Sequence, residues 1–565
     1  MDILAKQFRQ PTPLTASLLL SVTLAGPGCA AKDRVQEPTL ECEGDGWGEV
    51  CSSDYHPIPI ARNREVDILF VIDNTASMGE AQAKLATSVA SLIAALEADD
   101  LRANYHIGFT TTDSGNPWCS PATAGHGELV ASPCTTRLDD FSLDGLVDVQ
   151  ALACADLCEL GADALEILPS ATELDSDAKP RPWLERIDGQ TNLPPTTDMA
   201  AAFACFAPQG VNGCGFEAPL ESMYLALVRA QTPDEPGYGF MRRNATLAIV
   251  HLTDAADCSY NQEWAEIFDA EGDKAFWADP LADSPSAAVC WNAGVECTGD
   301  ASTYDSCEPA NKDISGELGA TDGDSVLQPL DRYIGLVARI DKEKKMVDDG
   351  LEVIVALIGG VDGAGEPVYA DVSETDPDFH AEFGIGPGCE AALAAGQLEP
   401  MRAVPPVRLR DFTNAFTPGN LASICADDYS PTFEDLAQRI AAQMPVSCFW
   451  GCVKDTDPTT ERIEPDCTVR ARTPGEEPVT LAECLRDANG YVIDPISNYY
   501  SMPAAEINVC YVLLTGDDLA EACIDRSLNL ELKVARRPGF PEPAGTSVAA
   551  TCLLADFPDL SCPGI

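Results

Sequence analysis

Along the first four-fifths of the chain, short and nearly continuous apolar runs alternate with segments whose apolar residues recur every three or four positions. The clearest run is Val66-Asp67-Ile68-Leu69-Phe70-Val71-Ile72, which predicts a strand buried on both faces. Leu85, Val89, Leu92 and Leu96 follow at spacings of four, three and four, one face of a helix that Glu97-Ala98-Asp99-Asp100 returns to solvent. The same reading gives strands at 105–112, 245–252 and 351–358 and helices at 220–230, 326–344 and 433–444. The last helix follows a start signal, Asp427-Asp428-Tyr429-Ser430-Pro431. Strands alternating with helices imply an α/β fold, a doubly wound, mainly parallel sheet covered on both faces. The intervening stretches near 113–204, 257–325 and 360–420 are rich in Gly, Pro, Asp and Cys and read as disulfide-pinned insertions. After Cys448 the periodicity gives way to alternating runs at 509–514 and 528–534 with eight cysteines, a small cystine-rich β domain over 446–565.

Composition narrows the function. The 565 residues carry 91 Asp+Glu against 35 Lys+Arg, a formal charge of −56, whose field repels phosphate backbones and anionic lipid headgroups. A nucleic-acid partner is excluded on that ground. Length alone suggests about three or four domains. Twenty-three cysteines point to an oxidising compartment. Lys6 and Arg9 precede the apolar stretch 14–25, which is too short to span a bilayer comfortably and has the layout of a secretory signal. It ends in Leu24-Ala25-Gly26-Pro27-Gly28-Cys29. That ending resembles a bacterial lipoprotein signal over residues 1–28, although Gly26 stands where the family prefers Leu.

The resemblance implies that Cys29 becomes the lipidated mature N-terminus, exported and anchored to the bacterial outer membrane or cell surface. Cysteine parity agrees, with two before the first strand, twelve from Cys119 to Cys425 and eight from Cys448 to Cys562. A plain secretory signal, removed together with Cys29, leaves the same parity and stays open. Residues 29–64, with the close pair Cys42 and Cys51, read as an acidic tether with one small disulfide loop.

The chemistry-bearing constellation follows the first strand directly: Asp73-Asn74-Thr75-Ala76-Ser77-Met78-Gly79. Oxygens at alternate positions of a tight turn face one point beyond the carboxyl end of the strand, where parallel α/β sheets place their ligands. Hard oxygen donors in that number suit Mg2+, with Ca2+ or Mn2+ as alternatives. The stretch 65–445, insertions excluded, resembles a von Willebrand factor type A domain with its metal-ion-dependent adhesion site. The family signature Asp-x-Ser-x-Ser is matched by Asp73, Thr75 and Ser77, and the Asp at the end of its fourth strand by Asp254 in Leu252-Thr253-Asp254-Ala255. The family's further Thr ligand has no clean match. Glu217, in the loop before the helix at 220–230, stands in its place as in some secreted bacterial members. The resemblance implies adhesion, in which the cation keeps an open position for a carboxylate from a protein or extracellular matrix partner.

Each residue also has a plainer explanation. Asp73 can cap the following helix, but a cap accounts for one oxygen and not for several alternating ones plus Asp254. Thr110–Asp113 reads as a strand-end turn, and Asp257 with the other acidic runs as solvated surface. His106 and His251 lie in predicted strands and read as core residues rather than bases. Cys154 and Cys158 read as disulfide partners rather than a metal or redox pair. No enzyme is expected. The second Asp of haloacid dehalogenase-type phosphatases is replaced by Thr75, and no His-Glu-x-x-His, Gly-x-Ser-x-Gly or Walker motif occurs. The alternative to adhesion is a metal-independent structural surface protein with a degenerate site; a hydrolase is the weaker third.

Overall fold

A computed structural model describes residues 55–562 apart from short stretches, the longest of them 392–399, 541–546 and 556–561. The signal, Cys29 and the Cys42–Cys51 loop therefore lie outside the described residues. The elements that build and support the candidate site are, in chain order, β1 (Tyr55–Ile60), β2 (Glu65–Ile72), α1 (Gly79–Ser88), α2 (Ala90–Glu97), β3 (Asn104–Thr111), β4 (Leu184–Ile187), β5 (Gln190–Thr191), α3 (Met199–Phe206), α4 (Pro219–Ala230), β6 (Thr246–Leu252), α5 (Leu330–Lys345), β7 (Val353–Gly359), α6 (Val407–Phe416), β8 (Leu421–Ser423) and α7 (Ser430–Ala442).

Seven strands form the central sheet in the order β8-β7-β6-β2-β3-β4-β5. β8, β7, β6, β2 and β3 are mutually parallel, and β4 and β5 add an antiparallel edge. The molecule is thus mixed α/β with a large, mostly parallel sheet. Side chains of β2 alternate between two cores. Val66, Ile68, Phe70 and Ile72 meet α1, α2, α3 and α7 on one face, while Leu69 and Val71 meet α4, α5 and α6 on the other. Each such buried aliphatic or aromatic side chain contributes about 1.5–3 kcal/mol, so the interior strands need apolar residues on both sides. The exception within the run is Asp67, fully buried and held by the Arg242 backbone N–H at 2.6 Å and its Nε at 2.9 Å.

Register places the site. Ile72 lies level with Thr111 on one side and Leu252 on the other, and Leu252 is level with Ile358. Four parallel strands therefore end together, and Asp73, Thr112 and Thr253 are the first residues beyond that rim.

The stretches read as insertions contain more of the sheet than the sequence suggested. β4 and β5 lie within 113–204, and α6 lies within 360–420 with β8 just beyond it. Gly, Pro and Cys density masked them, because β4 has four residues and β8 three, too short for periodicity to register. The helix expected from Val326 begins at Leu330, after Pro329, while Leu327 pairs with Tyr260 as an isolated bridge. Tyr55–Ile60, placed in the tether by the sequence, is a strand that pairs residue for residue with Val548–Leu553 near the C-terminus.

Ten disulfides join the described cysteines. Six close within Cys119–Cys425 (119–214, 134–154, 158–205, 258–290, 297–307, 389–425) and four within Cys448–Cys562 (448–523, 452–562, 467–552, 484–510). Cys154 and Cys158 are both in disulfides, though not with each other. The C-terminal part builds a four-stranded sheet and a three-stranded sheet over a core that includes Phe449, Val469, Leu530, Leu532 and Ala550. Ten disulfides indicate an oxidising, extracytoplasmic setting. No described helix is long and apolar enough to cross a membrane.

Candidate metal centre

Asp73 is fixed by backbone and side chain together. Its N–H donates to the Leu252 carbonyl at 2.9 Å, carrying the edge of the β2–β6 ladder one residue past the strand. Its Oδ1 accepts from the Thr75 N–H at 2.9 Å and the Thr75 hydroxyl at 2.7 Å, and its Oδ2 from the Thr253 hydroxyl at 2.6 Å. The Thr75 and Ser77 hydroxyls stand 3.4 Å apart. Ser77 lies close enough to Asp254 to favour its charged form, and the Thr253 hydroxyl joins the turn after β6 to Asp73, so the turn after β2 and the turn after β6 share one rim. Asp73 is fully buried, Thr75 half-buried and Ser77 exposed, which leaves the cluster open to solvent on the Ser77 side.

Glu217 enters from the loop before α4. The Ala218 N–H donates to the Thr112 carbonyl at 3.0 Å, and the Thr112 hydroxyl donates to Glu217 Oε2. Glu217 also comes within hydrogen-bonding reach of Asp73, a contact that two ionised carboxylates cannot satisfy. Its Oε1 is buried with no donor of its own.

The electrostatics follow from this crowding. Burial raises the Asp73 carboxyl above the usual carboxylate range, against the pull of its hydrogen bonds from Thr253 and Thr75. Burial, reinforced by the Asp73 charge and then by Asp113 and Asp254, pushes Glu217 well up. Burial and the Asp73 charge push Asp254 up to about 7. The Asp73 charge thus penalises the ionisation of both Glu217 and Asp254, and Asp254 adds to the penalty on Glu217; a positive charge among them relieves it.

The structure brings Asp73, Thr75, Ser77, Glu217 and Asp254 to one place. Among the described residues, however, no three His, Cys, Asp or Glu side chains stand so that they hold a metal ion by themselves. An ion here needs the two hydroxyls, and water, to complete its shell.

Several residues of the site escaped the sequence reading. Thr112 and Asp113 are more than a strand-end turn: Thr112 holds Glu217, and Asp113 accepts from the Gly115 N–H at 2.9 Å and the Cys214 N–H at 3.2 Å. Asp257 is not solvated surface. It is buried, ion-paired to Arg408 Nε at 2.9 Å, and accepts from the Leu220 N–H at 3.2 Å in the first turn of α4. Gln82 of α1 is fully buried; its Nε2 donates to the carbonyls of Asp73 (2.8 Å) and Gly210 (2.7 Å), and its Oε1 accepts from Gln209 N–H at 2.8 Å and Gly210 N–H at 3.2 Å. A Gln amid apolar helix positions was the one available signal.

No family model matches the chain, and no curated protein matches it. Solved structures similar to it include two forms of the pilus adhesin SpaC from Lactobacillus rhamnosus GG. The open conformation is 10% identical, with 91% of this chain and 44% of that chain covered at a TM-score of 0.25. The other form is 9% identical, with 87% and 39% covered at a TM-score of 0.24. The chain therefore spans less than half the length of either.

Proposed function

We propose that this chain is a cell-surface lipoprotein, anchored through Cys29, whose central sheet is of the von Willebrand factor type A kind and binds a divalent cation, Mg2+ or else Ca2+ or Mn2+. Asp73, Thr75, Ser77, Glu217 and Asp254 would hold the ion. When bound, it supplies an electrophilic point that a carboxylate of a protein or matrix partner completes. The protein's own residues set the position: Thr253 and Gln82 orient Asp73, and Thr112 orients Glu217. The observation that carries the reading is the buried, donor-less Oε1 of Glu217, a carboxylate whose ionisation the buried Asp73 and Asp254 of separate elements oppose. Leaving such an oxygen unsatisfied costs about 1–3 kcal/mol or more, and a cation removes the cost.

Calorimetric titration of the mature chain with Mg2+ and Ca2+ tests it. One site is expected in the wild type and none in Asp73→Ala, with both proteins folded by circular dichroism. Equal heats in the two proteins, or none in either, overturn the reading.

The second reading is a metal-independent surface protein. It is favoured by the absence of a self-sufficient acidic triad among the described residues, and by the threonine hydroxyls that already satisfy much of Asp73 and Glu217.

A further inference from the structure

Two of the carboxylates at the rim are carried by segments that a third, buried carboxylate joins. Asp257, three residues after Asp254, is only 3% exposed. Its Oδ1 accepts from the Leu220 N–H at 3.2 Å and from the Ser259 hydroxyl at 2.6 Å. Ser259 Oγ accepts in turn from the Glu221 N–H at 3.0 Å, and the Cys258 N–H donates to the Glu217 carbonyl. The loop after β6, which carries Asp254, is thus tied at three successive residues to the first turn of α4 and to Glu217 just before it. A carboxylate placed there also meets the positive end of the helix dipole.

The other oxygen of Asp257, Oδ2, accepts from Arg408 Nε at 2.9 Å. Arg408 lies in the first turn of α6 and is buried. Its Nη2 donates to the Gln328 carbonyl at 2.7 Å, and the Gln328 N–H returns to the Ser259 carbonyl at 2.8 Å. Four residues before Arg408, the Val404 N–H donates to the Asp254 carbonyl at 2.7 Å. Arg408 Nη1, by contrast, is buried with no partner among the described residues. A buried ion pair gives little net stability, because desolvation offsets the attraction, and an unsatisfied donor adds to the cost. What this pair does supply is a fixed direction and distance between three segments.

We propose that the Asp257–Arg408 ion pair is the positioning device of the candidate centre. By locking the loop after β6, the start of α4 and α6 together, it fixes the spacing between Asp254 and Glu217 and thereby sets the affinity for the cation. Both residues act through the loops and neither is itself a ligand. The proposal rests on the cation-dependent reading above, and it adds α6 as the element through which that affinity is controlled.

The test measures Mn2+ binding to the full, disulfide-bonded chain by calorimetry, with the electron paramagnetic resonance spectrum of the bound ion as a report on its ligand shell. Arg408→Met and Asp257→Asn should each weaken binding about tenfold or more, as loss of support around metal ligands does, and should alter that spectrum. Asp67→Asn is the control for a merely structural role. It too breaks a buried ion pair, with Arg242, at the opposite end of β2 and about 20 Å from Asp73, and should leave affinity and spectrum at their wild-type values. Wild-type affinity in Asp257→Asn overturns the positioning role. So does an Asp67→Asn variant as weak as the other two, because affinity would then only follow stability. If Arg408→Met does not fold, Asp257→Asn, which keeps the side-chain shape and one acceptor oxygen, decides alone. If the wild type gives no Mn2+ heat, the cation reading fails and the positioning role with it. If the wild type binds Mn2+ and every variant matches it, the positioning role alone fails.

Discussion

His251 shows how a single residue reports on its surroundings. It sits mid-sheet in β6, opposite Val71 and Leu357, edge-on to Phe412 with ring centroids 5.8 Å apart. Both ring nitrogens are buried without a partner. Burial alone lowers its pKa to about 3, so the folded chain binds fewer protons than the unfolded one below about pH 6.5. Stability is therefore lost as pH falls from about 6.5 toward 3. Relative to His251→Leu, the wild type should lose about 2 kcal/mol between pH 7 and pH 5, read from urea unfolding with disulfides intact; parallel curves for the two proteins would refute it. Gln82 makes the complementary case, a buried polar side chain whose groups are all satisfied. Gln82→Ala strands backbone groups at Asp73, Gln209 and Gly210 and should cost about 2–4 kcal/mol, measured the same way, with weakened Mg2+ binding because Asp73 loses its support.

At the scale of elements, the site is made by strands that end level and loops that approach one another closely. Gly213 lies where the loop before α4 meets the turn after β2: its N–H donates to the Asn74 carbonyl at 2.8 Å, and a Cβ there would come 2.3 Å from Asn74 Oδ1. Gly213→Ala must displace Asn74, next to Asp73. It should destabilise by about 1–3 kcal/mol and weaken Mg2+ binding in calorimetry; unchanged affinity would mean that the two loops are not geometrically coupled. Elements were legible in the sequence where they were long and purely periodic, as β2, β6, β7 and α7 were. They were hidden where a strand was only two to four residues long, as in β4, β5 and β8, because its burial is decided by neighbours far away in the chain. The site was legible through Asp73, Thr75, Ser77 and Asp254, whose oxygens follow strand ends directly. Thr112, Thr253 and Gln82 were not, since their importance lies in which distant group each hydrogen bond reaches.

Across the whole molecule, connectivity separates two ends of the central sheet. β1 belongs to the C-terminal sheet, and β2 begins five residues after β1 ends, so the C-terminal part adjoins the start of β2. The candidate centre lies past its carboxyl end, an eight-residue strand away, about 26 Å.

In the function proposed, five oxygen-bearing side chains from three loops surround one ion. Anomalous diffraction from crystals soaked in MnCl2 tests it most directly. One dominant peak bounded by Asp73, Thr75, Ser77, Glu217 and Asp254 is expected; a map with no peak there, or with its peak elsewhere, would mean that these side chains do not hold the ion.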